Sequence, residues 1–310
     1  MNPDPDIQHV YVILNPAAGT SSVDDTRALV AEHFSTRGWT YEIYETSGAE
    51  DEDVAAIARE ACEKGAGLVV AAGGDGTVAG VVNGLVHTGI PLGIIPAGTG
   101  NGLARSLNIP LEAEAAVRLI ASEHIYQPLD AMKVGDQYFV LNVSAGISSR
   151  SMDETPAEQK QRFGMLAYAR TILNQLSGSQ RAQYRLLIDD HEVNVRAMEV
   201  LVSNGAPLKE GPFLLGPVEA LNDGMFEVHI LTARSLGEYL GLIWEMLTRR
   251  QGRKKELKTL PVKQRIRIEA LDRPQAVQAD GELIGETPVE VEVVSSALQV
   301  ITPVPKPAVE

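Results

Sequence analysis

The stretch Leu68 to Thr77, LVVAAGGDGT, limits what this chain can fold into more than any other. Leu68, Val69 and Val70 with two alanines make a short apolar run, which reads as a strand buried on both faces. It ends in Gly73, Gly74, Asp75 and Gly76, where three glycines let a ligand come close to the main chain. Thr77 to Val86 then has Val78, Val81, Val82 and Leu85 at helical spacing. A strand, a glycine turn and a helix N-terminus together form an anion site, because the first helical amides are unpaired and the dipole is positive there.

The preceding residues repeat the strand–helix alternation. Val10 to Leu14 reads as a strand running into Asn15-Pro16-Ala17-Ala18-Gly19, and a helix follows from near Ser22 to a stop at Gly38. Trp39 to Thr46 alternates as a strand ending in Thr46-Ser47-Gly48, and Asp53 to Lys64 reads as a helix closed by Gly65. Pro91 to Ile95 is a further strand, running into Pro96-Ala97-Gly98-Thr99-Gly100-Asn101-Gly102. Such βαβ alternation predicts a doubly wound parallel sheet with helices on both faces. Ligands of such sheets bind off the carboxyl ends of the strands, which puts Asn15, Gly19, Thr46, Gly74, Asp75 and Thr77 along one crevice.

GGDGT in this setting resembles the signature of the diacylglycerol kinase catalytic family, whose relatives include bacterial lipid kinases, sphingosine and ceramide kinases and, more distantly, NAD kinases and phosphofructokinases. The resemblance runs from about Val10 to Pro303 and is carried by NPAAG, GGDGT, PAGTGN and DGE. It implies that ATP phosphates lie on Asn15, Pro16, Gly19, Thr46, Gly73, Gly74, Asp75, Gly76, Thr77, Thr99 and Asn101. No GxxxxGK[ST] loop occurs in the sequence. Arg105, on the short helix after the second glycine loop, is a candidate phosphate partner or an ordinary exposed arginine. Two positions depart from the family pattern. Gly102 stands where bacterial diacylglycerol kinases usually carry Asp, and Gly80 stands where the family commonly has Glu.

Around Gln127-Pro128-Leu129-Asp130 the texture changes to short β-type runs: 138–143, 183–188, 193–202, 225–231 and 264–271. The expected boundary is near 128. Residues 1–128 with a returning 298–310 form the nucleotide domain, and 129–297 form a largely antiparallel β-sandwich carrying the lipid site and the base. Helices are expected over 157–176 and 236–247, the second beside a basic cluster of six of the 27 Lys and Arg residues between 249 and 258. That cluster suits either anionic headgroups or a solvated loop.

The resemblance assigns roles in this half too. Asp223, in Asn222-Asp223-Gly224-Met225, would be the side-chain ligand of a structural Mg²⁺, completed by the carbonyls of Ala220 and Met225. Asp130 would be a metal-linked carboxylate, although on its own it reads as a turn residue. Glu282 of the DGE triplet 280–282 would be the general base, facing Asp75 across a cleft. Asp280 and Asp75 complete the catalytic carboxylates.

The bulk numbers narrow the partners. A net charge of −14 argues against general nucleic-acid binding. The single cysteine, Cys62, excludes an intrachain disulfide and favours a reducing compartment. The opening MNPDPDIQHV has no basic then apolar pattern, and no run reaches the ~18 apolar residues of a membrane span. The resemblance, taken with these numbers, implies an ATP- and Mg²⁺-dependent lipid kinase, cytoplasmic with transient peripheral membrane contact. A homodimer is permitted but not specified. A soluble-metabolite kinase of the NAD-kinase type and a catalytically impaired nucleotide-binding homologue are the alternatives.

Overall fold

The computed structural model describes residues 7–19, 22–49, 52–146, 181–204, 221–233, 238 and 257–305. Its contacts divide the chain into two units, Met1–Leu129 with Ser296–Glu310, and Asp130–Ser295.

The first unit alternates β1 (His9–Leu14), α1 (Val23–Thr36), β2 (Thr40–Glu45), α2 (Val54–Glu63), β3 (Leu68–Gly73), α3 (Asp75–Leu85) and β4 (Leu92–Pro96), followed by the short α4 (Gly102–Ser106) and α5 (Ala113–Ile120). The strands lie parallel in the order β2-β1-β3-β4, with Val12 opposite Ile43 and Val70, and Val70 opposite Gly93. All six residues of β3 are buried, as a central strand covered on both faces requires. Phe34, Trp39, Leu68, Val70 and Ile120 share one core beneath α1 and α5. The Ser22 side chain caps α1 by accepting from the Asp25 amide at 3.0 Å.

Helix α3 starts at Asp75, two residues earlier than the apolar spacing predicts, because Gly74 serves as its N-cap. It packs on α2 through glycines. A Cβ at Gly80 would lie 2.7 Å from Val54 Cβ, and one at Gly84 2.5 Å from Ala58 Cβ. The acid that the family commonly has at position 80 is replaced here by close helix contact.

The second unit opens within β5 (Ile125–Val134) and continues with β6 (Gln137–Phe139), β7 (Asn142–Gly146), β8 (Ala182–Ile188), β9 (His191–Ala197), β10 (Glu199–Ser203), β11 (Phe226–Leu231), β12 (Leu257–Val262), β13 (Arg265–Ala270), β14 (Ala276–Ala279), β15 (Glu282–Glu286) and β16 (Val289–Thr302). One sheet is antiparallel in the order β12-β11-β10-β7-β14-β15. In the other, β9-β8-β13 meet the first part of β16, again antiparallel. Alternate residues of the two sheets, among them Val143, Val200, Val228, Tyr184, Leu186, Ile266 and Val291, share one core. The fold is α/β, with a parallel nucleotide-type unit and an antiparallel sandwich unit. The end of β16 returns to the first unit, where Val300 lies opposite Leu92 of β4.

Two expected strands are each two. The run 138–143 breaks between β6 and β7, where the amides of Val140, Leu141 and Asn142 all donate to the Asp280 carboxylate at 2.8–3.0 Å. The run 193–202 changes sheets at Met198, between β9 and β10. The expected helix over 157–176, all but Glu238 of that over 236–247, and the basic run 249–255 lie outside the described residues.

His229 is buried on β11, its Nε2 3.0 Å from Ser203 Oγ and its Nδ1 3.0 Å from Thr259 Oγ1. Burial pushes its pKa down to about 4. The Glu227 carboxylate lies 3.5 Å from Nε2, but half of it faces solvent, which screens the pair. The native imidazole therefore stays neutral where the unfolded one, near 6.5, already takes a proton. Its contribution is complete above pH 6.5 and is lost as the pH falls towards 4, by up to ~3 kcal/mol. His229→Gln, which keeps a side-chain donor and acceptor, should flatten the fall in thermal midpoint between pH 6.5 and 4. An unchanged pH profile would remove His229 from that account.

Candidate active site

Three loops leave the carboxyl ends of β1, β3 and β4, and the first unit ties them together. Asn15 donates from its backbone amide to Ala72 O at 2.9 Å and from Nδ2 to Thr77 Oγ1 at 3.2 Å. Its Oδ1 accepts from the Ala17 amide at 2.9 Å, which bends Pro16 and Ala17 outward. Gly19 sits at φ +72° against the third loop, where a Cβ would be 1.4 Å from Ala97 O. Gly74 and Gly98 also meet closely, since a Cβ at Gly98 would be 2.7 Å from Gly74 Cα. Glycine is required at these positions because backbone meets backbone.

Asp75 is the strut of this assembly. Its Oδ2 accepts from the Asn101 amide at 2.9 Å and its Oδ1 from the Gly102 amide at 2.7 Å. Gly100 leaves room for it, as a Cβ there would come within 2.5 Å of Asp75 Oδ2. Asn101, in the left-handed region at φ 52°, closes its own loop: Oδ1 accepts from the Gly98 amide and Nδ2 donates to Gly98 O. Thr99 is exposed at the tip of that loop. Arg105, a candidate phosphate partner in the sequence, donates Nε to Gly100 O at 2.8 Å. Gly102, the departure from the family's Asp, supplies a brace to Asp75 through its amide.

Between these loops lies the start of α3. No side chain caps it, so the first-turn amides of Asp75, Gly76 and Thr77 carry the positive end of the helix. Gly73 is buried beneath Thr77, whose Oγ1 lies 2.5 Å from the position of a Cβ there. Thr46, at the end of β2, is buried, and among the described residues nothing bonds its Oγ1. Glycine contacts, uncapped amides and an unused hydroxyl make a cradle that fits a phosphorylated nucleotide.

In the second unit, three sites place the remaining residues. Asp280, at φ 46° in the β14–β15 turn, gives both carboxylate oxygens to the amides of residues 140–142. Glu282 follows at the start of β15, exposed, and among the described residues its carboxylate makes no hydrogen bond. Asp130 is fully buried and accepts from the Gly224 amide at 2.7 Å through Oδ2, while Asp223 Oδ1 accepts from Met225 N at 3.0 Å. Asp130 and the turn 223–225 are thus joined directly. Their oxygen donors suit Mg²⁺, which would be held by Asp223 and the Met225 carbonyl. Ala220 lies outside the described residues.

Two residues to which the sequence assigns no role act as supports. Asn204 donates Nδ2 to Asp130 O and Val140 O. Gln278 holds Asn142 and Ser144 by its amide nitrogen, and its oxygen accepts from the Gly281 amide. Both are single polar residues whose partners come from distant strands.

Comparison with known proteins identifies two family domains. Residues 9–134 match the diacylglycerol kinase catalytic domain, and residues 141–302 match the YegS C-terminal NAD kinase beta sandwich-like domain. The chain is similar to the diacylglycerol kinase of Bacillus subtilis, at 31% identity over 76% of this chain and 77% of that one. It is also similar to a YegS-like lipid kinase of Chromohalobacter salexigens, at 35% identity over 64% of each. A crystal structure of a Bacillus anthracis diacylglycerol kinase shares the fold, with a TM-score of 0.76, 23% identity and coverage of 96% of this chain and 98% of that one. On the strength of both domain matches and the Bacillus subtilis relative, the chain belongs to the diacylglycerol kinase catalytic family and is a kinase built on that family's two-part fold.

Proposed function

We propose that the chain transfers the γ-phosphoryl group of ATP to the hydroxyl of a lipid such as diacylglycerol, with Glu282 as general base. The observation that carries the base assignment is the contrast among three carboxylates. Asp75 and Asp280 each give both oxygens to main-chain amides, whereas Glu282 is exposed and uncommitted among the described residues. A base must bring an oxygen to the acceptor's proton, which Asp75 and Asp280 could do only by giving up amide bonds that hold their loops. Asp75 and Asp280 are positioning residues on this reading. One shapes the phosphate loops, and the other fixes the turn from which Glu282 projects.

Within the first unit, the amides at the start of α3 and the glycine loops orient the triphosphate. Bound Mg²⁺ would supply charge neutralisation to the phosphates or order the 223–225 turn. Glu282 then takes the hydroxyl proton as the oxygen attacks the γ-phosphorus, and ADP leaves with the bridging oxygen. The relatives' names make a lipid the leading acceptor, so the enzyme would visit a membrane surface. No helix among the described residues is long and apolar enough to cross one.

An assay with labelled ATP against diacylglycerol, a sphingoid base and NAD separates the acceptor classes; phosphorylation of NAD alone would overturn the lipid reading. Glu282→Gln should lower kcat by ~10²–10⁴ with nucleotide binding and thermal midpoint kept. Asp280→Asn should instead cost ~2 kcal/mol or more of stability, because it weakens bonds from three amides to a charged acceptor. If Asp280→Asn loses turnover at full stability while Glu282→Gln remains active, the two roles are reversed.

Gly100→Ala tests the cradle. Its methyl would press on Asp75 Oδ2 from 2.5 Å and break the strut. We expect the KM for ATP to rise about tenfold, equivalent to ~1.4 kcal/mol, with the KM for the lipid unchanged. Unchanged ATP kinetics would show that the strut does not shape the nucleotide site.

A further inference from the structure

The loop after β2 lies at the carboxyl edge of the parallel sheet. One carboxylate, Glu52, gathers it. Oε1 accepts from the Ser47 amide at 3.1 Å and from Tyr44 Oη at 3.2 Å, while Oε2 accepts from Ser47 Oγ at 3.1 Å and the Gly48 amide at 3.2 Å. The Ala49 amide donates in turn to Ser47 Oγ, and the Glu52 amide to Ala49 O. Burial alone would raise the Glu52 carboxyl, but the Ser47 amide and hydroxyl, the Gly48 amide and Tyr44 outweigh it and hold the pKa below the usual glutamate range. Glu52 is therefore ionised whenever the protein is folded near neutral pH.

This loop borders the cradle. Gly48, at φ +73°, stands with the site of its Cβ 3.9 Å from Ala17 Cβ in the first loop. Thr46 is fixed by its amide, which donates to Leu14 O at 2.8 Å, and its buried Oγ1 has no partner among the described residues. The chemistry of the loop offers a phosphate little beyond the Thr46 hydroxyl. The amides of Ser47 and Gly48, which could have faced an anion, are consumed by Glu52, and a carboxylate lies where a phosphate would need a donor. The phosphate-type features belong instead to the loops after β1, β3 and β4 and the start of α3. The 46–49 loop therefore suits the uncharged part of the nucleotide, with the Thr46 hydroxyl as the hydrogen-bonding group it offers among the described residues.

We infer that Glu52 is a positioning residue that holds the Thr46–Ala49 loop as the wall for the nucleoside, sugar or base, of the bound nucleotide. This rests on the proposed ATP site. Glu52 touches no substrate. It acts by fixing Ser47 and Gly48, next to Thr46, and its loss should loosen the nucleoside end without disturbing the phosphate end. Gln at this position keeps the size of the side chain but places an amide nitrogen against backbone and hydroxyl donors.

Direct binding separates this inference from the reading it rests on. ATP and inorganic tripolyphosphate are titrated calorimetrically into the full chain and into Glu52→Gln, with Tyr44→Phe as a milder variant losing one of the four donors. We expect Glu52→Gln to weaken ATP about tenfold, Tyr44→Phe to weaken it two- to threefold, and tripolyphosphate to bind both variants as it binds the wild type. In turnover, the KM for ATP should rise with kcat at saturating ATP held within twofold. Equal ATP affinity in wild type and Glu52→Gln would overturn the inference, as would a parallel loss of ATP and tripolyphosphate binding. A wild-type protein that binds no ATP would overturn the proposed function itself. Should Glu52→Gln fold poorly, the Tyr44→Phe titration decides the matter in the same way.

Discussion

A carboxylate that collects neighbouring main-chain amides is the device on which both units depend. Asp75 takes two amides from the loop after β4, Glu52 takes the amides of Ser47 and Gly48, Asp189 takes those of residues 263–265, and Asp280 takes those of residues 140–142. In each case a turn residue satisfies donors that no sheet or helix would otherwise pair. A buried or half-buried amide left unmade costs ~1–3 kcal/mol, and a charged acceptor strengthens each bond. The cost of fixing a loop is thereby met at a single side chain. Asp189 and Asp280 make the parallel plainest. Both sit in a hairpin turn in the left-handed region, at φ 50° and 46°, and both cap three consecutive amides of another connection. Asp189 carries no proposed chemistry. The shared geometry supports Asp280 as a fastener and, on the proposed reading, leaves the base to the glutamate two residues on.

The first unit adds a second constraint, the approach of backbone to backbone. Gly19 against Ala97 and Gly98 against Gly74 allow the loops to close on one another, and Gly80 and Gly84 let α3 lie against α2. The two departures from the family pattern take their meaning from this packing. At position 80 a side chain would have to displace Val54, so an acid could be kept only by separating the helices. At position 102 a side chain is dispensable to the strut, because it is the amide that reaches Asp75. Neither glycine removes a contact on which the cradle depends.

Much of the first unit was legible in the sequence because its signals are local. An apolar run, three glycines and a helical stripe within twenty residues specify β3, its loop and α3, and the strand-end rule gathers Asn15, Thr46 and Asp75 at one edge. What escaped depends on partners far along the chain. The break between β6 and β7 is set by Asp280, some 140 residues later, so 138–143 looked like one strand. Met198 marks a change of sheet that periodicity cannot register, since the alternation continues through it. The committed state of Asp75 and Asp280 was equally invisible. A carboxylate in a glycine turn reads as reactive until its acceptor lone pairs are assigned. Glu52 carried only a faint signal, an acid just before the Asp53 cap of α2.

The cradle is also notable for the charge it lacks. The loops 15–19, 46–49, 73–77 and 96–102 contain no lysine or arginine, their one acid is Asp75, and Arg105 nearby spends Nε on Gly100 O. Among the described residues, these loops thus offer a polyanion only amides and one helix dipole, worth roughly half an elementary charge, in a chain of net charge −14. For the proposed reaction this divides the labour. Main-chain donors can fix where the phosphates lie, since their directions are set by glycine packing and the Asp75 strut, but they cannot balance a triphosphate's charge. That balance would have to arrive with the nucleotide as a bound divalent cation. On the proposed reading, the acid-rich chain favours the metal-bound nucleotide over the free polyanion, and the geometry of the loops fixes where it lies.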